Sequence, residues 1–303
     1  MTAIVNQLAF VDINVVDLDA WEGFARDILG FGTIRKGGVL DLRMDERPFR
    51  YRLRESTRDG FPILGWQAPD EAAIELLGQR LTGRGLSFSP LDVTRLRDRG
   101  AVAGLGFECR NGIRHEVVSG LKPGPAFEPG PAVSGFVTGS GGLGHVVWSI
   151  PDVAAMDELL LDVFGMDLRE DIATPAGPGH FYGCNPRHHS LAVFSAPSLR
   201  LEHLMVEMGE IDDVGCAMDR AEDEGDILMQ PLGRHRTDQM ISFYVRSPSG
   251  FGMEVGCNGL LCGDDWEEVR DSSRKRPWGH GAAMRGHHKT RTNASSAIRK
   301  KDA

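Results

Sequence analysis

The sequence has 303 residues, of which 41% are hydrophobic and 25% charged, and its formal net charge is −9. This composition is typical of a globular protein with one large domain or two smaller ones, and the acidic charge argues against general nucleic-acid binding. No run of about 18 apolar residues occurs, so we expect no membrane-spanning helix. The first ten residues, MTAIVNQLAF, lack the pattern of a signal peptide. Five cysteines without a CxxC pair indicate reduced thiols and a cytoplasmic location.

The chain begins with a unit that recurs in its second half. The pattern of 8–32 predicts a strand, a turn at Asp17 and an amphipathic helix that ends at Gly30. Residues 143–167 match this stretch without a gap, with an aspartate again at the turn and Gly165 at the helix end. Glycine is the expected residue where a helix ends in a left-handed turn. The match therefore predicts the same strand–helix unit twice.

Three further pairs of segments match in the same order. They are 44–53 with 184–193, 68–85 with 208–225, and 104–117 with 240–255. The chain is therefore predicted to hold two copies of one unit, 1–130 and 138–262, joined by a linker rich in Pro and Gly at 121–135. Each copy is predicted to contain the order βαβββ twice. The mixture of helices and antiparallel hairpins predicts an α+β fold with two similar domains.

The segment 263–303 differs from both copies in composition. From Arg274 onward it holds nine Lys or Arg residues and one Asp, a net charge of +8, which leaves −17 on the rest of the chain. It has few large apolar residues and no periodicity. We therefore expect a basic, flexible C-terminal extension that the chemistry does not require.

The two copies differ where histidines occur in the second. His145, His189 and His203 stand at the positions of Phe10, Phe49 and Ile63, whereas Glu254 corresponds to another acid, Glu116. The first copy packs apolar side chains at these positions, so the fold does not need histidine there. This difference argues against a purely structural role for the three histidines. Two imidazoles and one carboxylate are the ligand set of the facial triad that binds non-haem Fe(II). Residues on separate strands of one curved sheet can converge, but spacing alone does not establish that they do.

Five motifs of the second copy carry a resemblance to a known family. They are GLGHVV (142–147), CNPRHHSLAVF (184–194), EHLMVE (202–207), IDDVG (211–215) and GRHRTDQMISFYVRSPSGFGMEVG (233–256). Together they resemble the type I extradiol catecholic dioxygenases of the vicinal oxygen chelate superfamily, most closely the 2,3-dihydroxybiphenyl 1,2-dioxygenase group. The resemblance covers nearly the whole chain except the tail. It implies a glyoxalase-like fold, and a homo-oligomer that cleaves a 3-substituted or fused-ring catechol beside its diol with O2, giving a 2-hydroxy-6-oxo-dienoate.

The resemblance also implies a metal site and an acid–base residue. It places Fe(II), with Mn(II) as the alternative, on His145, His203 and Glu254, and it implies no metal in the first copy. The acid–base residue falls on His189, since imidazole titrates near neutrality and can take and return a proton. The neighbouring His188 lies on the same predicted strand, so it is expected to point to the opposite face and to be structural.

Further residues are implied to surround the substrate. His235 and Tyr244 match residues that hydrogen-bond the bound catechol and oxygen, and Asp238 matches a residue that supports them. Thr237 departs from the pattern, because many relatives have Asn there. Val147, Phe181 and Thr237 are the candidate substrate contacts, with core packing as the alternative for the two apolar residues.

Two other functions remain as alternatives on the same fold. One is a metalloenzyme that is not an oxygenase, such as an isomerase or glyoxalase, and the other is a ligand-binding protein without catalysis. The HHS stretch and the complete set of ligand and acid–base residues favour the dioxygenase. An assay with Fe(II), a catechol and O2 separates the three.

Overall fold

The computed structural model describes residues 3–263, 266 and 278–281. Two mixed β-sheets dominate the protein. The first sheet contains eight strands: β1 Gln7–Val15, β2 Gly32–Lys36, β3 Val39–Arg43, β4 Tyr51–Glu55, β5 Ile63–Gln67, β6 Phe88–Pro90, β7 Ala103–Glu108 and β8 Arg114–Ser119. The second sheet contains nine strands: β9 Val146–Ile150, β10 Asp167–Thr174, β11 Gly177–Gly183, β12 Leu191–Ser195, β13 Arg200–Glu207, β14 Leu228–Arg234, β15 Ile241–Arg246, β16 Gly252–Cys257 and β17 Trp278–Gly279.

The two sheets have the same topology. The first has the order β2-β3-β4-β1-β5-β8-β7-β6, and the second has the order β10-β11-β12-β9-β13-β16-β15-β14-β17. Each sheet contains two βαβββ modules that meet at an antiparallel central pair, β1 with β5 and β9 with β13, and β17 is added at one edge of the second sheet. The predicted α+β fold with tandem βαβββ repeats is therefore confirmed. Among the described strands, only β17 lies outside the two predicted copies, in a tail that was expected to be flexible. The other described tail residues are 263, 266, 280 and 281.

Five α-helices connect the strands in the described part of the chain. They are α1 Leu18–Gly23, α2 Glu71–Gly83, α3 Val93–Arg99, α4 Val153–Asp157 and α5 Ile211–Asp223, and α1 and α4 each continue into a π-helical turn. The predicted turn residue Asp17 accepts a hydrogen bond from the Ala20 amide at 2.8 Å, which satisfies a free N–H at the start of α1. The helical segment that begins with α1 ends at Gly30, whose φ is 74°. None of these helices is long and apolar enough to span a bilayer.

The two domains share a hydrophobic core. Phe164, at the end of the π-helical turn of the second domain, packs edge-on against Trp66 and His115 of the first, with ring centroids 5.7 and 5.9 Å apart. Its carbonyl accepts a hydrogen bond from the Ile4 amide at 2.8 Å. Buried apolar residues form a continuous cluster across both sheets. Removing apolar surface from water at this contact therefore holds the two copies together.

His115 makes the first domain sensitive to acid. It is buried, accepts a hydrogen bond from Trp66 Nε1 at 3.0 Å, and has its pKa lowered to about 3 by burial. Its pKa in an unfolded chain is about 6.5, so the unfolded state binds the extra proton between these values. The contribution of neutral, buried His115 to the free energy of unfolding is therefore fully present above pH 6.5. It is lost as the pH falls from 6.5 toward 3.

We expect this residue to lower the free energy of unfolding by about 2 kcal/mol between pH 7 and pH 5. Urea titrations of the wild type and of His115→Gln at both pH values measure the difference. The variant should lose less stability on acidification than the wild type. An equal loss in both proteins would contradict the assignment.

Candidate active site

Three neighbouring strands of the second sheet bring His145, His203 and Glu254 together. His145 directly precedes β9, His203 lies in β13 and Glu254 in β16, and these strands are adjacent in the sheet. The two histidine Nε2 atoms are 3.3 Å apart, and Glu254 Oε2 lies 3.1 Å from each of them. The convergence that spacing alone left open is therefore present in the structure.

A glycine before His145 allows this close approach. Gly144 has a φ of +135°, and a Cβ atom on it would lie 1.9 Å from the carbonyl oxygen of Met205. Any side chain at this position would push the start of β9 away from β13. The second glycine of the GLGHVV motif is thus a requirement of the site.

The three donor atoms fit one divalent cation. In an octahedral shell with bonds of about 2.1 Å, neighbouring ligand atoms lie about 3 Å apart. Burial lowers the pKa of His145 to about 4, although Glu254 opposes this shift. Burial alone would raise the pKa of Glu254, but His235, His145 and His203 lower it well below its usual range. At neutral pH these two donors are therefore deprotonated, as metal ligands must be.

The second carboxylate oxygen of Glu254 is held by other residues. Ser242 Oγ donates a hydrogen bond to Oε1 at 2.6 Å, and His235 Nε2 lies 3.1 Å from the same oxygen. His235 Nε2 is also 2.8 Å from the hydroxyl of Tyr244. Burial, with Glu254 and Asp238 nearby, raises the pKa of Tyr244 well above its usual value, so its hydroxyl remains a donor. Ser242 could not be recognised from the sequence, because a small polar residue in a strand carries no distinctive signal.

His189 lies against the cluster of His145, His203 and Glu254, here called the ligand cluster, without belonging to it. Its ring stacks on that of His145, with centroids 4.0 Å apart, and the ring of Phe181 packs edge-on against it at 5.0 Å. Its Nδ1 lies 3.2 Å from His188 Nδ1 and 3.9 Å from an oxygen of Asp238. Burial, with His145 and His188 adjacent, lowers the pKa of His189 well below its usual value. His189 is therefore a neutral imidazole beside the cluster.

The expected orientation of His188 is wrong. Residues 184–190 form an irregular loop between β11 and β12, so the alternation of a strand does not apply there. The ring of His188 turns toward the same region as that of its neighbour, and its Nε2 lies 3.8 Å from Glu170 Oε2. Glu170 in turn pairs with Arg236, and Trp266 packs edge-on against the His188 ring. His188 therefore lies in a buried polar chain behind the acid–base candidate.

The three candidate substrate contacts lie in different surroundings. Val147 and Phe181 form a small buried cluster with Ala192, separate from the main core and next to His189. Thr237 is half-buried in the loop that also carries Asp238. An apolar wall is therefore present beside the ligand cluster. A cavity of about 610 Å³ between the two domains contains none of the predicted site residues in its lining.

The first domain lacks this site. The strand registers of the two sheets coincide, so Phe10, Phe49 and Ile63 occupy the positions of His145, His189 and His203, and Glu116 that of Glu254. Among the residues that the structure describes, groups of His, Cys, Asp or Glu able to share a metal occur only in the second domain. They are His145 with His203 and Glu254, and His145 with His189 and Asp238.

Arginine takes the place of a metal in the first domain. Glu116 pairs with Arg95 at 2.7 Å and with Arg99 at 2.6 Å, and Arg99 also pairs with Asp12 at 2.6 Å. The Arg99 guanidinium lies 4.8 Å from the ring centroid of Phe10. Both arginines come from α3, which connects β6 to β7. The corresponding connection in the second domain, from β14 to β15, is the loop that carries His235 and Asp238. Burial would lower the pKa of Arg99, but the two carboxylates outweigh it and raise that pKa.

Two family models match separate parts of the chain. Residues 142–255 match the model of the Glyoxalase/Bleomycin resistance protein/Dioxygenase superfamily, and residues 8–55 match that of the Dihydroxybiphenyl dioxygenase BphC D1 family. The chain is 33% identical over 290 residues to the biphenyl-2,3-diol 1,2-dioxygenase of Paraburkholderia xenovorans (strain LB400), covering 91% of this chain and 95% of the relative. This chain belongs to the extradiol dioxygenases. The predicted family and activity class, an extradiol ring-cleaving dioxygenase, are thus confirmed.

Two further relatives of this extradiol dioxygenase match at the same level. The iron-dependent extradiol dioxygenase of Rhodococcus jostii (strain RHA1) is 33% identical, over 91% of this chain and 97% of the relative. A crystal structure of BphC, a halotolerant catechol dioxygenase, superposes with a TM-score of 0.87 at 32% identity, over 93% of this chain and 96% of that one. The family likeness therefore extends through both domains.

The arginine-filled first domain should bind no iron. We expect Glu116→Ala to leave one iron per chain and unchanged turnover, since Glu116 lies outside the ligand cluster. The free energy of unfolding should fall by about 3 kcal/mol, because buried Arg99 loses one of its carboxylates. Metal analysis of anaerobically purified protein and denaturant titration measure the two effects.

Glu116→Gln, which keeps a hydrogen-bond acceptor of the same shape, is the matched control and should lose less stability than the alanine variant. Two irons per wild-type chain would contradict the assignment. Loss of iron in Glu116→Ala while Glu254 is intact would contradict it as well.

Proposed function

We propose that this dioxygenase uses Fe(II) and O2 to cleave a 3-substituted or fused-ring catechol beside its diol, giving a 2-hydroxy-6-oxo-dienoate. The observation that carries the proposal is the cluster of His145, His203 and Glu254, whose donor atoms lie 3.1–3.3 Å from one another. The name of the Paraburkholderia relative, a biphenyl-2,3-diol 1,2-dioxygenase, supports a substituted catechol as substrate.

His145, His203 and Glu254 would hold the metal. Three protein ligands leave further coordination positions open, which suits a substrate with two vicinal oxygens together with O2. Bound there, Fe(II) supplies the redox-active centre that the reaction of singlet catechol with triplet O2 requires. The donor set and the name of the iron-dependent Rhodococcus relative support iron, and Mn(II), which accepts the same donors, is the alternative.

His189 is the proposed acid–base residue. Its neutral imidazole can accept the proton that a catechol hydroxyl loses next to a cation and can return it when the ring opens. Its Nδ1 faces His188 and Asp238, which leaves Nε2 for the substrate. Stacking on His145 places the ring beside the ligand cluster. The side chain is therefore within reach of a substrate oxygen held there.

His235 and Tyr244 are the proposed partners of the substrate and oxygen atoms. They hydrogen-bond to each other at 2.8 Å, and His235 also contacts Glu254. Because the raised pKa of Tyr244 keeps its hydroxyl protonated, it can donate to an anionic oxygen. Asp238 lies behind His189, and Val147, Phe181 and Thr237 are proposed to line the substrate pocket.

The remaining expectations about the protein's surroundings stay proposals. We infer a cytoplasmic homo-oligomer that binds neither nucleic acid nor membrane. The net charge of −9 argues against nucleic-acid binding, and the cysteine pattern favours a cytoplasmic location. The homo-oligomer rests on the family resemblance. Analytical ultracentrifugation of the purified chain measures the oligomeric state directly.

An anaerobic reconstitution tests the activity. The protein is loaded with Fe(II) or, in parallel, Mn(II), and given 2,3-dihydroxybiphenyl, 3-methylcatechol or 1,2-dihydroxynaphthalene before air is admitted. We expect a ring-cleavage chromophore and uptake of one O2 per catechol with Fe(II). No O2 uptake with any catechol would favour a metalloenzyme that is not an oxygenase, or a binding protein, on the same fold.

Two histidine variants should fail in different ways. His189→Ala should keep iron and bind catechol but lose turnover about 10²–10⁴-fold, the usual contribution of a general acid–base group. His203→Ala should lose iron, because only two ligands remain. Iron content, anaerobic catechol titration and kcat measure the difference.

His180→Ala is the matched control, since His180 is a half-buried histidine of β11 that bonds to Asp157 at 2.8 Å. It should retain both iron and turnover. If His189→Ala itself loses iron, the division between ligand and acid–base residue is wrong.

A further inference from the structure

A short strand of the C-terminal tail closes the edge of the second sheet. In β17, Trp278 pairs with Arg234 and Gly279 with Gly233, both on β14. The next residue, His280, has a φ of +46° and is only 2% exposed. A histidine from the tail is therefore buried next to the loop that carries the catalytic candidates.

Two glycines make this burial possible. A Cβ atom on Gly233 would lie 2.5 Å from the ring of His280, and one on Gly279 would lie 2.3 Å from the Cα of Gly233. Any side chain at either position would separate the two strands. The His280 amide also lies 3.4 Å from the carbonyl oxygen of Leu232. The edge of the sheet is thus shaped to receive His280.

His280 meets the His235–Tyr244 pair. Its ring is nearly parallel to that of His235, with centroids 4.4 Å apart and planes inclined by 30°. The ring of Tyr244 lies 5.8 Å away at an angle of 65°. His235 follows the end of β14 in a loop, and its side chain remains 25% exposed. One face of this exposed ring is therefore covered by a residue from outside both repeats.

We propose that His280 is a positioning residue that holds His235 in the orientation needed to hydrogen-bond Tyr244 and the substrate. This role rests on the proposed function, because it concerns the orientation of a substrate-binding group. An imidazole on a loop can rotate about two side-chain bonds, and contact on one face removes part of that freedom. The tail strand therefore completes the active site instead of being dispensable for it.

The test compares His280→Asn with the wild type. Asn tolerates positive φ, so the variant removes the ring while leaving the backbone conformation accessible. Trp278→Ala is the matched control, because Trp278 lies on the same strand with an exposed side chain. Gly233→Ala is a second, independent variant that displaces the His280 ring without changing it.

Two measurements are made on the iron-loaded protein under anaerobic conditions and then in air. The first is the rate at which diethylpyrocarbonate modifies His235, read by peptide mass spectrometry. The second is kcat and KM with 2,3-dihydroxybiphenyl. We expect His280→Asn and Gly233→Ala to speed the modification severalfold and to lower kcat/KM about tenfold at unchanged iron content. Trp278→Ala should change neither quantity.

An unchanged modification rate of His235 in His280→Asn would overturn the proposal, whatever the activity. A faster rate with unchanged kcat/KM would overturn the catalytic significance of the stack. Loss of iron in His280→Asn would assign the residue a structural role instead. If the wild type cleaves no catechol, the proposed function fails, whereas the modification rate still reports whether His280 holds His235.

Discussion

A buried carboxylate organises the second domain. Glu254 is 1% exposed, and isolation of its charge in the protein interior would cost several kcal/mol. Its two carboxylate oxygens contact different groups. Oε2 faces the candidate ligand histidines, whereas Oε1 accepts a hydrogen bond from Ser242 and contacts His235. One side chain thereby links the two candidate ligand histidines to the His235–Tyr244 pair. A cation at the ligand face would add the positive charge that this arrangement favours.

The first domain solves the same electrostatic problem in another way. Glu116 occupies the equivalent position, and the guanidinium groups of Arg95 and Arg99 neutralise it. A fixed cation from α3 needs no metal and leaves no coordination position for a substrate. Repeating one fold thus yields one domain with a candidate metal site and one in which arginine side chains fill the equivalent position. Phe164 then joins the two through the shared core.

Much of this arrangement could be predicted because the two halves of the chain repeat one unit and can be compared with each other. The match between the copies located the strands, the helix ends at glycine and the positions where His145 and His203 replace apolar residues. Features were missed where the copies diverge or where the backbone departs from the predicted strand. The helix α3 falls in a connection where the copies diverge, and His188 lies in an irregular loop to which strand alternation does not apply. The contact of His280 depends on pairing across more than forty residues, and local composition carries no information about it.

The position of β17 in the chain has a consequence for the order of assembly. During synthesis the N-terminal parts of a protein emerge from the ribosome first and can fold first. All three metal-ligand candidates precede residue 255, so a nascent chain can form the ligand cluster well before Trp278 and His280 have emerged. Until these residues pair with it, the edge of β14 has unpaired backbone N–H and C=O groups. Pairing of Trp278 and Gly279 with β14 therefore covers this edge of the sheet only after the strands that carry the three candidates have been synthesised.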